Sequence, residues 1–250
     1  MMTTMTPMVA RVLLISLVFL SELSAQSSLN GLDVPASCSQ IIWVQSANNN
    51  ATTGQLVRYE RVESEWEQVG TPIPVVLGKN GLAWGKGLHE SRQPEKVEGD
   101  GKAPAGIFLL GTSFGYAETS LIETSYPYRQ ATDRDYFIDD SQSEDYNSWK
   151  SIPLNQANNP KAFWTSYERM RRKDHLYEFG IVVKHNQSPA VPGKGSAIFL
   201  HVWRGPGSAT LGCTAMSKEN LLALAAWLEP GKSPVLIQIS KSDLPNLKWN

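Results

Sequence analysis

The sequence predicts a mainly β domain, an antiparallel β-sandwich or a barrel-like sheet, with one principal helix. Short apolar or alternating runs separated by Gly, Pro and Asn turns fill residues 41–112 and recur between residues 179 and 239. Convincing helical spacing is confined to the stretch that follows residue 217. With 250 residues and no break in composition, the chain is long enough for one large domain with a sizeable core.

Residues 1–25 are typical of a secretory signal peptide. Arg11 ends a short N-terminal region, an apolar run occupies residues 12–20, and Leu23-Ser24-Ala25 offers small residues for cleavage. This run has nine residues, far fewer than the roughly 20 needed to cross a bilayer, so we expect no stable membrane insertion. Residues 26–36 are predicted to be a flexible tether, and residues 37–244 the functional domain.

The strands are predicted from apolar runs and from period-2 alternation, and residues 99–106 are expected to form a turn that feeds one of them. The predicted strands are 41–44, 56–61, 66–69, 73–77, 107–112, 179–185, 196–203 and 235–239.

The principal helix is predicted to start at Ser217, a favourable N-cap residue, and to end before Pro230. Its apolar positions, Leu221, Leu222, Leu224, Ala225 and Leu228, recur at helical spacing and indicate packing on a sheet. A second, short helix is predicted over 164–174. Its basic residues, Arg169, Arg171, Arg172 and Lys173, favour a solvated face, with contact to acidic peptides as the alternative.

Composition and spacing exclude several classes of function. A formal net charge of −1 gives no signal for nucleic-acid binding. The four histidines are scattered without metal-ligand spacing, so we expect neither a metal site nor a cofactor. The adjacent residues Asp139 and Asp140 point to opposite faces of a strand, and we assign them to a strand end that ties down a loop.

The strongest chemical signal lies between residues 199 and 216. A β-rich run carries His201 to a strand end, a Gly- and Pro-rich loop follows, and Gly212-Cys213 precedes the helix. A cysteine attacks as its thiolate and needs a base, which a neighbouring histidine supplies. Gly212 lets a main-chain N–H approach a substrate oxygen, and the positive end of the helix is expected to point the same way. We therefore predict Cys213 as nucleophile, His201 as base and an oxyanion hole beside them.

His201 followed by Thr210-x-Gly212-Cys213 resembles the signature of the YkuD-type L,D-transpeptidases, which remodel bacterial peptidoglycan with a cysteine nucleophile. The Gly-Cys-x-Ala-Met ending at 212–216 is similar to that of one branch of the family. The resemblance covers about 40–239 through further blocks at 80–85, 99–108, 138–140, 183–186 and 201–207.

The resemblance implies a periplasmic or cell-wall enzyme that acts on peptidoglycan stem peptides, and we expect a monomer. It implies that the main-chain carbonyl of Val202 orients the imidazole. It also implies that the main-chain N–H groups of Leu211, Gly212 and Cys213 hold the oxyanion. Predicted substrate contacts are Arg204, Trp203, His185 and Thr210. Two of these have structural alternatives: His185 as a hydrogen-bonded core histidine, and Arg204 as the partner of a loop carboxylate.

Two departures keep other functions open. Many family members have Ser-His-Gly-Cys with an arginine two residues beyond the cysteine, whereas this chain has Leu211 before the glycine and Ala215 in place of the arginine. The branch with the similar ending includes hydrolases, so an L,D-carboxypeptidase, amidase or endopeptidase is the first alternative. The second is a non-catalytic wall-binding module stapled by a disulfide between Cys38 and Cys213.

Overall fold

The computed structural model of the protein describes residues 27–250 and contains fifteen strands, one α-helix and four short 3-10 helices in that range. The 3-10 helices are Thr119–Leu121, Pro160–Ala162, Pro230–Lys232 and Leu244–Asn246. The strands are β1 (Ser27–Leu29), β2 (Leu32–Val34), β3 (Gln40–Ser46), β4 (Thr53–Val62), β5 (Glu65–Val76), β6 (Leu82–Trp84), β7 (Ala103–Gly115), β8 (Tyr128–Gln130), β9 (Asp135–Phe137), β10 (Trp149–Ser151), β11 (Glu168–Arg169), β12 (Phe179–Val183), β13 (Phe199–Val202), β14 (Thr214–Met216) and β15 (Val235–Ser240), and the helix α1 is Lys218–Trp227.

The main sheet closes on itself. Its strands run in the order β12, β13, β14, β5, β4, β3, β15, β7, and β12 pairs with β7 as well as with β13. Most neighbours are antiparallel, but β13 pairs with β14, and β15 with β3, in parallel. Closure leaves the ring of strands without a free edge. The predicted fold class, a mainly β barrel-like domain with one principal helix, is confirmed.

The core is built from continuous apolar strands that are covered on both faces. Residues 41–44 of β3 and 235–239 of β15 are all buried, and all but one of them are apolar. This is expected for strands in the middle of a sheet that is covered on both faces. Helix α1 packs Leu221, Leu224 and Ala225 into the same core. Ser217 caps it by accepting a hydrogen bond from the N–H of Asn220 at 3.3 Å, as the sequence predicts.

A glycine in β7 makes room for a buried histidine ring. The Nδ1 atom of His89 accepts from the N–H of Ile107 at 3.0 Å, so its Nε2 carries the proton and donates to the carbonyl of Gly85 at 3.1 Å. A Cβ atom on Gly106 would lie 2.0 Å from Cε1 of His89, and the φ angle of Gly106 is +135°. Position 106 therefore excludes every side chain.

The N-terminal tether prediction is wrong over residues 27–34. Strands β1 and β2 form an antiparallel hairpin around Asn30 and Gly31, both at positive φ. Its apolar residues, Leu29, Leu32 and Val34, are buried in the main core. The predicted signal peptide lies outside the described residues. Within residues 27–250, no helix has the length and apolar character needed to cross a membrane.

Two other predicted elements differ from those in the structure. The strands predicted at 66–69 and 73–77 are one strand, β5. The helix predicted over 164–174 is absent: this segment holds β11, which pairs with β9 in a small second sheet. The three arginines there bind nearby groups instead of lining a helix face. Arg169 lies over the ring of Tyr136, and Arg172 binds Asp174 through two hydrogen bonds of 2.9 Å.

We expect Gly106→Ala to lower the free energy of unfolding by about 3 kcal/mol or more, because overpacking adds to an unfavourable φ angle. Gly193→Ala is the matched control, since Gly193 also has positive φ (+80°) but no atom within 4 Å of the added Cβ. Urea unfolding of both variants measures the difference, and equal losses of stability would contradict the steric explanation.

Candidate active site

Two parallel neighbouring strands bring His201 and Cys213 to one face of the sheet. Cys213 immediately precedes β14, and the register pairs Leu200 with Thr214 and His201 with Ala215. Because side chains alternate along a strand, residues 201, 213 and 215 share a face. Cys213 and His201 are therefore diagonal neighbours, about 7 Å apart along the strand direction.

The thiol of Cys213 is buried, with 8% of the residue exposed. The N–H of Phe199 donates to Sγ at 3.3 Å, and Sγ donates to the carbonyl of Ala197 at 3.5 Å. Burial raises the pKa of the thiol to about 12, and it outweighs the lowering by the Phe199 N–H and by the charge of Lys96. The sulfur is therefore protonated at neutral pH.

The imidazole of His201 is held by its neighbour's main chain. Its Nδ1 lies 2.8 Å from the carbonyl oxygen of Val202. A carbonyl only accepts, so Nδ1 carries the proton and Nε2 has a free lone pair. Burial lowers the pKa of His201 to about 4, against the opposing effect of the Val202 carbonyl, so the ring is neutral at pH 7. A neutral ring with a free Nε2 can accept a proton.

The turn before Cys213 is fixed by Thr210. Its hydroxyl donates to the carbonyl of Cys213 at 2.6 Å and accepts from the N–H of Gly212 at 3.1 Å. Thr210 lines the cleft, but its hydroxyl proton is used inside the turn, which argues against the predicted role as a substrate donor. The Gly212 N–H is likewise engaged, so the predicted oxyanion hole is left with the N–H groups of Leu211 and Cys213.

The thiol and the imidazole open into one cavity of about 420 Å³. Arg204 and Trp203 line it, as does the exposed side chain of Leu211. Within residues 27–250, Arg204 forms no salt bridge. The pKa of Asp174, a loop carboxylate, is lowered mainly by its hydrogen bonds with Arg172 and in smaller part by the charge of Arg204, so the alternative role of Arg204 beside a loop carboxylate keeps some support. Its guanidinium is available to a substrate carboxylate.

His185 does not line this cavity, contrary to its predicted substrate contact. It is 1% exposed, its Nδ1 accepts from the N–H of Lys86 at 3.2 Å, and its Nε2 lies 2.9 Å from the carbonyl of Lys194. Burial lowers its pKa to about 3. Both ring nitrogens are thus used by the main chain, and His185 is the core histidine of the alternative interpretation.

Two further predictions are corrected. The N-terminus of α1 lies at the far end of β14 from Cys213, about 10 Å along that strand, and the effect of a helix end falls off over a shorter distance than this. Cys38 and Cys213 are both free thiols. Cys38 lies in the main core and Cys213 in a separate aromatic cluster, so the disulfide-stapled module is wrong.

The cavity also holds charged residues that sequence reasoning did not assign to a site. Asp140 ties down a loop, as predicted, by accepting from the N–H and hydroxyl of Thr165 at 2.8 and 2.7 Å. Asp139 instead faces the cavity, where burial raises its pKa. The other charged lining residues are Lys96, Glu98, Glu168 and Arg172. The adjacent Asp139 and Asp140 could have indicated a site from the sequence, whereas a single lysine such as Lys96 belongs to no recognisable sequence pattern.

Within the described residues 27–250, no group of three or more His, Cys, Asp or Glu side chains could hold a metal ion.

Comparison with known proteins places this geometry in a family. Two solved structures similar to the chain are the helical cell shape determining protein Pgp2 from Campylobacter jejuni and Bd1075 from Bdellovibrio bacteriovorus. Pgp2 is 14% identical to this chain, with a TM-score of 0.40, and the match covers 81% of this chain and 48% of Pgp2. Bd1075 is also 14% identical, with a TM-score of 0.39, and the match covers 82% of this chain and 51% of Bd1075. The chain thus spans about half the length of these proteins. A search of curated proteins finds no match. The model of the YkuD family, the L,D-transpeptidase catalytic domain, matches residues 50–237, and the chain therefore belongs to this family.

Proposed function

We propose that the protein is a peptidoglycan L,D-transpeptidase that forms a thioester at Cys213, releases terminal D-alanine and cross-links two stem peptides. The observation that carries this proposal is the placement of a thiol and a neutral imidazole on one face of two parallel strands, at a cavity, in a domain of this family. Peptidoglycan lies outside the cytoplasm, so we also propose export, with residues 1–25 as the signal peptide.

In the first step the thiol attacks the carbonyl that follows the L-centre of diaminopimelate in a stem tetrapeptide. The C–S bond forms while the proton of the thiol moves to Nε2 of His201. Since burial keeps the thiol protonated, removal of this proton is coupled to attack. Negative charge develops on the carbonyl oxygen, where the N–H groups of Cys213 and Leu211 can donate.

Collapse of this intermediate breaks the C–N bond, and D-alanine leaves with the proton from His201. The imidazole is neutral again and accepts a proton from the amine of a second stem peptide, which attacks the thioester. The new C–N bond forms, the C–S bond breaks, and the sulfur regains its proton. Throughout, the Val202 carbonyl keeps the ring in the tautomer whose Nε2 faces the reaction.

The charges of the cavity suit a peptide that carries both signs. Lys96, Arg172 and Arg204 offer positive groups, and Asp139 and Glu168 offer carboxylates. Arg204 is our candidate for the substrate carboxylate because its guanidinium is exposed and forms no ion pair within residues 27–250. Trp203 adds an apolar wall beside it.

The nucleophile is tested by incubation with a carbapenem followed by intact mass measurement. The wild type should gain one carbapenem mass, and Cys213→Ala should gain none. His201→Gln should react about 100-fold more slowly, the size expected on loss of a general base. Cys38→Ala, which removes the other thiol, is the matched control and should label like the wild type. Labelling of Cys213→Ala would refute the assignment.

The base is tested by the pH dependence of this acylation. Because burial lowers the pKa of His201 to about 4, its lone pair is free through neutral and mildly acidic pH. The rate constant should show no drop between pH 8 and about pH 5 and should fall below that, as the imidazole becomes protonated. Circular dichroism at each pH checks that the protein stays folded. An inflection near 6.5, the ordinary histidine value, would contradict a buried neutral base.

Transfer is separated from hydrolysis by product analysis. With purified disaccharide tetrapeptides, the wild type should yield cross-linked dimers and free D-alanine in equal amounts, and Cys213→Ala should yield neither. Tripeptide and D-alanine without dimers would assign the protein to the carboxypeptidases with the same nucleophile, and cleavage at another bond would assign it to the amidases or endopeptidases.

A further inference from the structure

We propose that Lys96 is a further catalytic residue, whose ammonium group binds the oxyanion that forms when Cys213 attacks a carbonyl. The assignment rests on the proposed acyl transfer at Cys213. It gives a role to a lysine that no sequence motif marks and that lies on the loop of residues 96–102, between β6 and β7.

Lys96 is unusual in being a buried cation that lines the cleft. Only 4% of the residue is exposed, although lysine side chains are rarely buried unless they are paired. Its Nζ donates to Oδ1 of Asp100 at 2.7 Å, and Asp100 is its one hydrogen-bond acceptor in the described part of the chain. An ammonium group has three donors, and burial of donors is unfavourable unless they find acceptors. The remaining donors therefore suit a negatively charged ligand in the cavity.

The position of this ammonium is next to the nucleophile turn. Nζ lies 3.6 Å from the point where a Cβ atom on Gly212 would stand, and Gly212 directly precedes Cys213. The positive charge of Lys96 also acts on the thiol, whose pKa it lowers against the larger effect of burial. A carbonyl carbon bonded to Sγ must place its oxygen close to this turn. The ammonium is thus within reach of the oxygen that becomes negative.

The turn itself is short of donors for this purpose. The Gly212 N–H, which would ordinarily be counted in the oxyanion hole, already donates to the hydroxyl of Thr210 at 3.1 Å. Only the N–H groups of Leu211 and Cys213, on either side of the glycine, then remain in this turn for the oxyanion. A fixed cation beside the same turn supplies the missing stabilisation, since a charged donor is stronger than a neutral one.

The loop holds Lys96 in place through Asp100. This carboxylate accepts from the N–H of Val97 at 2.9 Å and from the N–H of Lys102 at 2.8 Å, in addition to the ammonium. The N–H of Lys96 donates to the carbonyl of Trp84 at 2.7 Å, which anchors the start of the loop to β6. The carboxylate is therefore oriented by main-chain donors, and it fixes the direction of the lysine side chain.

Lys96 transfers no proton in this scheme. As the C–S bond forms, the π-electron pair of the carbonyl moves to oxygen, and the ammonium donates a hydrogen bond to that oxygen. When the intermediate collapses, the pair returns, the C–N bond breaks and the ammonium is unchanged. The proton of the thiol travels through His201 alone.

The test compares two reactions of Cys213 in a Cys38→Ala background. Acylation by a carbapenem forms an oxyanion, whereas alkylation by iodoacetamide does not. In the double variant Lys96→Met with Asp100→Asn, which leaves no unpaired buried charge, acylation should slow by about 100-fold or more. Alkylation at the same pH should change far less. Lys194→Met is the matched control, since Lys194 forms a salt bridge of 2.6 Å with Glu95 but does not line the cavity, and it should acylate like the parent.

Thermal melting checks that the variants are folded. If the double variant does not fold, Lys96→Gln takes its place, since its amide can still donate to Asp100, and the same slowing of acylation is expected. Acylation at the parent rate, or equal slowing of acylation and alkylation, would overturn the assignment of Lys96 while Cys213 stays the nucleophile. A parent protein that no carbapenem acylates would overturn the proposed function and this assignment together.

Discussion

The parallel pairing of β13 with β14 decides where the thiol of Cys213 and the imidazole of His201 lie. Its register sets His201 opposite Ala215 and puts Cys213 one pleat away on the same face. The methyl group of Ala215 is fully buried there and leaves room for the imidazole, which a longer side chain would fill. A shift of the register by one residue would turn the thiol to the opposite face from the imidazole. The eleven-residue loop between the strands, which contains three Gly and one Pro, allows two parallel strands to be neighbours with a short connection.

The sequence blocks that carry the family resemblance away from Cys213 act mainly through packing. The ring of Phe108 lies between His89 and His185, with centroids 5.5 and 5.8 Å apart, and Gly106 leaves the space that His89 occupies. Asn147 extends this cluster toward Cys213: its amide donates to the carbonyl of His185 at 2.9 Å, and its oxygen accepts from the N–H of Ala197 at 3.2 Å. The carbonyl of Ala197 in turn accepts from the thiol. A histidine distant from the cavity thus contributes to the position of the sulfur.

Features that are local in sequence could be predicted, and features that depend on distant contacts could not. Apolar runs and the Ser217 cap predicted the fold class and α1, and the Gly-Cys step with a preceding histidine predicted the pair Cys213 and His201, which the structure places at one cavity. In the sequence, His185 and His201 each come at the end of an apolar run, and only their tertiary neighbours distinguish them. The hairpin at residues 27–34 had a readable Asn-Gly signal, which the polar composition around it obscured. Lys96 reaches the site through a loop that is more than 100 residues from Cys213 in sequence, and no spacing rule links them.

Burial of the thiol and the imidazole explains why the site needs fixed charges around it. Desolvation raises the pKa of Cys213 and lowers that of His201, so the two groups are neutral together and no thiolate forms in advance. The thiolate is the form that oxidises readily, so a protonated, buried sulfur is protected in the exported location proposed above. The same burial makes any charge created during attack unfavourable unless a partner is already in place. In the proposed mechanism, the Val202 carbonyl is the partner of the imidazolium, and Lys96, held by Asp100, is the partner of the oxyanion. Burial of Cys213 thus protects its sulfur and, in the proposed mechanism, makes charged and polar partners beside it necessary.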